Sequence, residues 1–215
     1  MLKFEHRNRC RQVALILTLA ACVPLVHAGY MQAKAGLAQI LLQRAWQQGL
    51  QSGSVSRPWP WADMAPIARL KVERLAINEI VLSGDSGRTL AFGPGWAESS
   101  SPPGESGTSV ISAHRDTHFS FLRDLVRGDR IELQNSRSSR RYEILSLRVV
   151  DAREEDLQLA NDSDALILVT CYPFDAIEPG GPLRFVVTAV PLDWAKNQPS
   201  AEGSPASSPA SIGAP

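Results

Sequence analysis

Three side chains that could together catalyse an acyl transfer stand at the ends of three strand-like runs. Cys171 ends a continuous apolar run, His114 follows a second run, and Arg184 opens a third. Apolar runs of this length, bounded by turn residues, are typical of buried strands. A free thiol has a pKa near about 8.5, and a neighbouring imidazolium stabilises the thiolate that acts as nucleophile. Because a fixed guanidinium can stabilise an oxyanion, the three residue types predict cysteine-based acyl transfer.

The cysteine count favours a reactive thiol over an inert one. Free cysteines are often small buried hydrophobes, which is the alternative for Cys171. The other two cysteines, Cys10 and Cys22, lie in or before an N-terminal apolar segment. If the rest of the chain is exported, Cys171 is its single thiol and has no intramolecular disulfide partner in an oxidising compartment. The absence of a disulfide partner favours the prediction that Cys171 is a nucleophile.

The order of these residues resembles the sortase family, in which His ends one strand, T-L-x-T-C ends a second, and Arg follows. Arg184 stands 13 residues after Cys171. Ile167 replaces the first Thr of the motif, and Ala113 replaces the Gly that usually precedes the His. Further segments are similar to the Gram-negative class of sortases: K-A-G-L-A-Q at 34–39, R-A-W at 44–46, P-W-P-W-A-D at 58–63, L-A-F-G-P-G at 90–95 and H-R-D-T-H-F at 114–119.

This resemblance implies a cysteine transpeptidase with an all-β fold and short helices, built on a sortase-like eight-stranded β-barrel. In the implied reaction the Cys171 thiolate attacks the Thr–Gly bond of an LPxTG-like C-terminal sorting signal on a secreted protein, and an amine acceptor resolves the thioester. Arg184 stabilises the oxyanion, while His114 protonates the leaving amine and then deprotonates the incoming one. Thr170 and Ala113 are the expected substrate-binding residues. No cofactor is implied, and the acceptor and the variable motif position stay open.

Residues 1–30 have the layout of a signal peptide or signal anchor. Four basic residues within the first eleven precede the apolar run 13–26, so the charges should stay cytoplasmic and the remainder should cross the membrane. Cleavage after Ala28, lipidation of Cys22 and retention of the helix are all open, since the apolar stretch is just long enough to span a bilayer. Retention is preferred, because sortases are usually membrane-tethered. It predicts a single-pass inner-membrane protein with its catalytic domain in the periplasm.

The rest of the chain divides into four segments. Residues 31–50 predict an amphipathic helix, either a separate stalk or a continuation of the anchor helix. Residues 51–65 predict a Pro/Trp linker, residues 66–194 the catalytic barrel, and residues 195–215 a disordered tail poor in large apolar residues. In the linker, Trp59 and Trp61 alternate with prolines. An extended segment would therefore lay both rings on one face of the barrel, with packing as the preferred role and contact with the substrate as the alternative.

Two groups of polar residues resemble metal-binding patterns in part. His118 stands four residues after His114, but no third ligand follows at a zinc spacing, so His118 and Asp116 are expected to support the catalytic residues rather than bind a metal. The acidic residues between 151 and 156 lack the spacing of a calcium loop and predict a solvated loop. Lys+Arg and Asp+Glu balance at 22 each, so no overall charge favours nucleic acid.

Two other functions stay open from the sequence. A periplasmic cysteine hydrolase or peptidase would use the same thiol but resolve the thioester with water. The wall-active L,D-transpeptidases usually carry Ser-His-Gly-Cys around the nucleophile, which Val169-Thr170-Cys171 does not match. A non-catalytic β-barrel binding module would carry Cys171 as an inert thiol. Products formed with and without an added amine separate transfer from hydrolysis, and a thiol that resists alkylation would favour the module.

Overall fold

The computed structural model describes residues 2–154, 164–176, 178 and 180–192, with side chains in the first helix from residue 15 onward. Its regular elements are α1 (Leu2–Ser52), β1 (Pro66–Val72), β2 (Ile77–Ser83), α2 (Gly87–Leu90), β3 (Gly95–Trp96), β4 (Thr108–Ser112), β5 (Arg130–Asn135), β6 (Ser139–Asp151), β7 (Ala165–Cys171) and β8 (Leu183–Pro191). Two short 3₁₀ helices, Glu73–Leu75 and Ser120–Asp124, lie between strands.

The strands form a closed barrel in the order β1-β2-β3-β4-β7-β8-β6-β5, with β5 pairing back onto β1. The pairs β2–β3 and β4–β7 are parallel, and the other pairs are antiparallel. Closure pairs each described strand with a neighbour on both sides. The predicted eight-stranded barrel with few helices is therefore confirmed. The two-residue strand β3 and the single turn α2 were not predicted, because neither is long enough to show a periodic pattern.

The barrel interior follows from the alternation of side chains along each strand. On β1, Ala68, Leu70 and Val72 are fully buried, while the residues between them are partly exposed. On β7 nearly every residue is buried, because both faces of this strand are covered. Leu166 and Leu168 point into the main core, whereas Ile167 belongs to a second apolar cluster outside the barrel wall. A continuous apolar run is thus a strand covered on both faces.

One helix, α1, runs through both the predicted signal segment and the predicted stalk. It is long and apolar enough near the N-terminus to cross a membrane, and large apolar side chains from Leu15 to Met31 are exposed. This is compatible with a single-pass anchor, although a signal sequence would meet the same criterion. The helix ends at Ser52, close to the start of the predicted linker.

The second half of α1 packs on the barrel wall. Ala38, Leu42, Ala45 and Trp46 are buried there. Gln39 Nε2 donates to the Phe92 carbonyl at 2.8 Å, and Arg69 Nη2 donates to Gln43 Oε1 at 3.0 Å. The Arg69 guanidinium also lies 5.7 Å from the centre of the Trp46 ring. These contacts connect the apolar segment directly to the barrel.

The linker forms a turn rather than an extended segment, since the Ala62 amide donates to the Trp59 carbonyl at 3.0 Å. Trp59 packs edge-to-face on Phe92, with ring centroids 5.5 Å apart. Trp61 is 82% exposed. The prediction that both rings pack on the barrel is therefore wrong for Trp61, because a turn, unlike an extended segment, points its successive side chains in different directions. The predicted tail 195–215 and the last two residues of the predicted barrel lie outside the described residues.

Candidate active site

The strand register brings the three candidate residues to one end of the barrel. Cys171 on β7 is the direct partner of Arg184 on β8. On the other side of β7, Val169 is the partner of Ser112, and the Ala113 amide donates to the Val169 carbonyl at 3.2 Å. His114 and Cys171 thus each follow a paired residue by two positions. Neighbouring strands lie about 4.8 Å apart, so the three backbones are adjacent.

The same register places the side chains of Cys171 and Arg184 on the outer face of the barrel wall, with the exposed His114 beside them. Ala113 is buried with the main core, while His114, the next residue, is exposed. Cys171 and Arg184 alternate with the core-facing Thr170 and Phe185, and both are half-buried. Directly paired residues share a face of the sheet. The thiol and the guanidinium therefore share one face of the sheet, and the imidazole is exposed just beyond the end of the neighbouring strand.

A buried hydrogen bond joins the histidine strand to the cysteine strand. Thr170 Oγ1 donates to the Ala113 carbonyl at 2.7 Å, and both residues are buried. Each precedes a candidate catalytic residue, so this bond fixes the relative positions of the two strand ends. Thr170 and Ala113 remain predicted substrate contacts, and in the structure they bond to each other.

The guanidinium of Arg184 is held by the loop that precedes it. Nη1 donates to the Gly181 carbonyl at 2.7 Å and to the Leu183 carbonyl at 2.9 Å. Gly180 and Gly181 have φ angles of +97° and +87°, which side chains other than hydrogen rarely allow. These two glycines turn the chain so that the carbonyl of Gly181 faces Arg184.

Aromatic side chains fasten the loop 172–182 between Cys171 and Arg184, of which the structure describes residues 172–176, 178 and 180–182. The Phe174 ring packs against the core, 5.2 Å from Phe185 and 6.2 Å from Tyr172. The Arg123 guanidinium lies 5.1 Å from the centre of the Phe174 ring. The Tyr172 amide donates to the Leu183 carbonyl at 3.0 Å and closes the loop at its base.

Arg115 was not singled out by the sequence, although it also binds this loop. It directly follows His114 and is 8% exposed. Its Nη2 donates to the carbonyls of Ala176 and Glu178, each at 2.9 Å. The sequence carries no sign of this burial, because Arg115 stands in a polar stretch with no apolar periodicity around it.

The predicted supporting residues His118 and Asp116 lie in different surroundings. His118 Nδ1 is 2.8 Å from Glu79 Oε2 on β2, and both side chains are partly buried. Asp116 is exposed and makes no hydrogen bond with another residue that the structure describes. The supporting role of His118 and the role of Asp116 in orienting an imidazole stay predictions.

The acidic segment after β6 is only partly within the described residues. Arg153 donates to Asp151 through Nε at 3.0 Å and Nη2 at 2.6 Å. These side-chain hydrogen bonds, with one from the Arg153 amide, lower the pKa of Asp151 to about 2. Asp151 therefore already has a cationic partner. Glu155 and Asp156 lie outside the described part of the chain, and the solvated-loop prediction stays untested.

Most of the barrel is similar in sequence to known proteins. A family model described as the sortase domain matches residues 70–192. Over 119 residues the chain is 31% identical to sortase D of Bacillus subtilis (strain 168), which covers 55% of this chain and 60% of that relative. The chain thus spans less than two thirds of that curated relative.

Solved structures show the same architecture. Sortase A from Corynebacterium diphtheriae aligns with a TM-score of 0.54 and 25% identity, covering 64% of this chain and 66% of that one. Sortase D5 from Clostridium perfringens aligns with a TM-score of 0.59 over 73% of this chain and 99% of its own, and its 20% identity shows similarity of fold alone.

Proposed function

Because the chain belongs to the sortase family, whose members are cysteine transpeptidases, we propose that it cleaves an LPxTG-like C-terminal sorting signal and transfers the protein to an amine. The observation that carries the proposal is the register of three strands. Cys171 faces Arg184 across β7–β8, and His114 follows β4 at the matching level. A nucleophile, an acid–base group and an oxyanion donor at one end of the barrel support acyl transfer.

In the first half-reaction the Cys171 thiolate attacks the carbonyl carbon of the Thr–Gly bond. A carbon–sulfur bond forms, and the carbonyl electrons move to oxygen, where the Arg184 guanidinium stabilises the negative charge. Collapse of this intermediate breaks the carbon–nitrogen bond, and the imidazolium of His114 gives its proton to the departing amine. The product is a thioester between Cys171 and the substrate.

In the second half-reaction an amine attacks the thioester carbonyl. The neutral His114 accepts the proton of the incoming amine, and the carbon–sulfur bond breaks to return the Cys171 thiolate. The site begins and ends with the same protonation states, so each turnover regenerates the Cys171 thiolate and the His114 imidazolium. Half-buried Val169, two residues before Cys171 on the same face, offers an apolar contact for the Leu-Pro part of the signal.

The proposal places the barrel at the periplasmic side of a Gram-negative inner membrane, with α1 retained as a single-pass anchor. Two observations support it. The motifs at 58–63 and 114–119 resemble the Gram-negative class of sortases, and the helix continues without a break from its apolar part into the segment packed on the barrel. A retained helix would hold the site close to the membrane where exported substrates emerge.

Product analysis tests the proposal. The full-length protein in detergent is incubated with an LPxTG-type peptide, with and without triglycine as the amine, and the products are identified by mass spectrometry. Transfer predicts a peptide joined to triglycine through its threonine, and none with Cys171→Ala. If hydrolysed peptide is the single product at every triglycine concentration, the protein is a hydrolase and not a transpeptidase. No cleavage of any sorting peptide would support the non-catalytic module.

A further inference from the structure

Arg115 is a buried cation that the proposed chemistry does not use. Its side chain is 92% buried, and Nη2 donates to the carbonyls of Ala176 and Glu178. Both acceptors lie in the middle of the loop 172–182, which connects Cys171 to Arg184. Arg115 itself directly follows His114. One side chain thus connects the histidine segment to the loop between the other two candidate catalytic residues.

The physical character of this contact indicates a geometric role. A guanidinium stays charged at every physiological pH, and removing it from water is costly. Among the described residues, no carboxylate forms an ion pair with Arg115, so the two loop carbonyls are the hydrogen-bond acceptors of its guanidinium, and its Nη1 is buried without a hydrogen-bond partner. A well-packed apolar side chain would stabilise the same position at lower cost. What the arginine adds is a fixed position for two backbone carbonyls.

The same loop also positions the side chain of Arg184. Its base is closed by the hydrogen bond from the Tyr172 amide to the Leu183 carbonyl. Its last part carries Gly181, whose carbonyl accepts from Arg184 Nη1 at 2.7 Å. The middle of the loop is the part that Arg115 binds. Movement of this middle part would shift the Gly181 carbonyl and with it the guanidinium.

We propose that Arg115 is a positioning residue that aligns the Arg184 guanidinium through the loop 172–182. The inference rests on the proposed acyl transfer, in which Arg184 stabilises the oxyanion. Arg115 touches neither substrate nor thioester, and it acts by holding the Ala176 and Glu178 carbonyls. Misplacement of an oxyanion donor by about 1 Å is enough to slow a reaction about 100-fold.

A double-mutant cycle on the rate of thioester formation tests this path. Arg115→Met should slow formation by about 10-fold to 100-fold. Arg115→Lys should be intermediate, because lysine keeps the charge but is one bond shorter. In the Arg184→Ala background, Arg115→Met should lower the rate of thioester formation by less than about 2-fold, because the guanidinium that Arg115 aligns is already absent. If Arg115→Met lowers the rate by the same factor with and without Arg184, the proposal is overturned, because a general loss of structure would act equally in both backgrounds.

Hydrogen exchange gives a readout that needs no substrate. In Arg115→Met the amides of Tyr172 and Ala176 should exchange at least about 10-fold faster, while those of β6 stay unchanged. The control Arg127→Met alters an exposed arginine outside the site and should change neither segment. Unchanged exchange in the loop would overturn the proposal. If wild type forms no thioester but the loop exchange rises as expected, the acyl-transfer function fails while the connection from Arg115 to the loop stands.

Discussion

Cys171 on β7 and Arg184 on β8 are direct partners across an antiparallel ladder, and Arg184 also donates to the carbonyl of Gly181, three residues before it. The nucleophile and the cation are therefore positioned by different means. Backbone pairing fixes Cys171, whereas a loop with two left-handed glycines fixes the direction of the Arg184 guanidinium. This difference makes the loop the sensitive part of the site.

Gly181→Ala should lower the rate of thioester formation by at least about 10-fold, because a misplaced oxyanion donor loses much of its effect. Alanine at a φ of +87° is strained by about 1–2 kcal/mol, so the loop relaxes and moves the carbonyl that Arg184 binds. Gly128→Ala is the matched control, since Gly128 has a φ of +89° in a different loop and equally open space around it. Equal rate losses for the two variants would contradict the role of Gly181.

Thr170→Val should destabilise the fold by about 1–2 kcal/mol and slow thioester formation. Valine keeps the shape of threonine but removes the buried donor to the Ala113 carbonyl. The control is Thr188→Val on β8, where the half-exposed side chain makes no hydrogen bond with the described residues. Thermal unfolding and single-turnover rates measure both effects. A Thr170→Val protein with wild-type stability and rate would show that this bond does not hold the strand ends together.

The strands that carry the site were predictable from the sequence, whereas contacts between distant segments were not. The runs before His114 and Cys171 predicted strands, and parallel pairing of those strands then brings their ends together. The sequence left open whether the stalk segment continues the anchor helix, because an apolar span and an amphipathic stalk differ in composition rather than in backbone conformation, and the structure shows one continuous helix. Likewise, His118 binds Glu79, which is 39 residues away, and no local pattern specifies such a partner.

Acid should weaken a second polar contact, near the 3₁₀ helices. Arg74 donates to both carboxylate oxygens of Asp129 at 2.6 Å, and these bonds, helped by the Val126 amide, hold the pKa of Asp129 below its ordinary value. The pKa of Asp129 is lower in the folded state than in the unfolded state, where it is about 3.9. The pair therefore stabilises the fold fully at pH values above the unfolded-state pKa, and this stabilisation is lost as the pH falls through the folded-state pKa.

Asp129→Asn should therefore lower the free energy of unfolding by about 1–2 kcal/mol at pH 7, with a difference from wild type that shrinks below about pH 4. Thermal unfolding from pH 3 to pH 7 measures this. The control Asp63→Asn removes the exposed ion pair with Arg88 and should have little effect at any pH. A difference that stays constant down to pH 3 would rule out the charged pair as its cause.

The two tryptophans of the linker should respond differently to truncation. Trp59→Ala removes the ring packed on Phe92 and should cost about 2 kcal/mol of unfolding free energy. Trp61→Ala should change stability by less than about 0.5 kcal/mol, because the ring is 82% exposed. Thermal unfolding of both full-length variants in detergent decides. Equal losses would mean that Trp61 is buried in solution.

The central claim is that Cys171 forms a thioester with a sorting signal. The most direct measurement is the intact mass of the full-length protein in detergent after brief incubation with an LPxTG-type peptide. We expect an added mass equal to that of the peptide fragment ending in threonine less one water, located on Cys171 and absent in Cys171→Ala. An adduct that persists in Cys171→Ala, or no adduct with a whole panel of sorting peptides while Cys171 stays unmodified, would contradict the account.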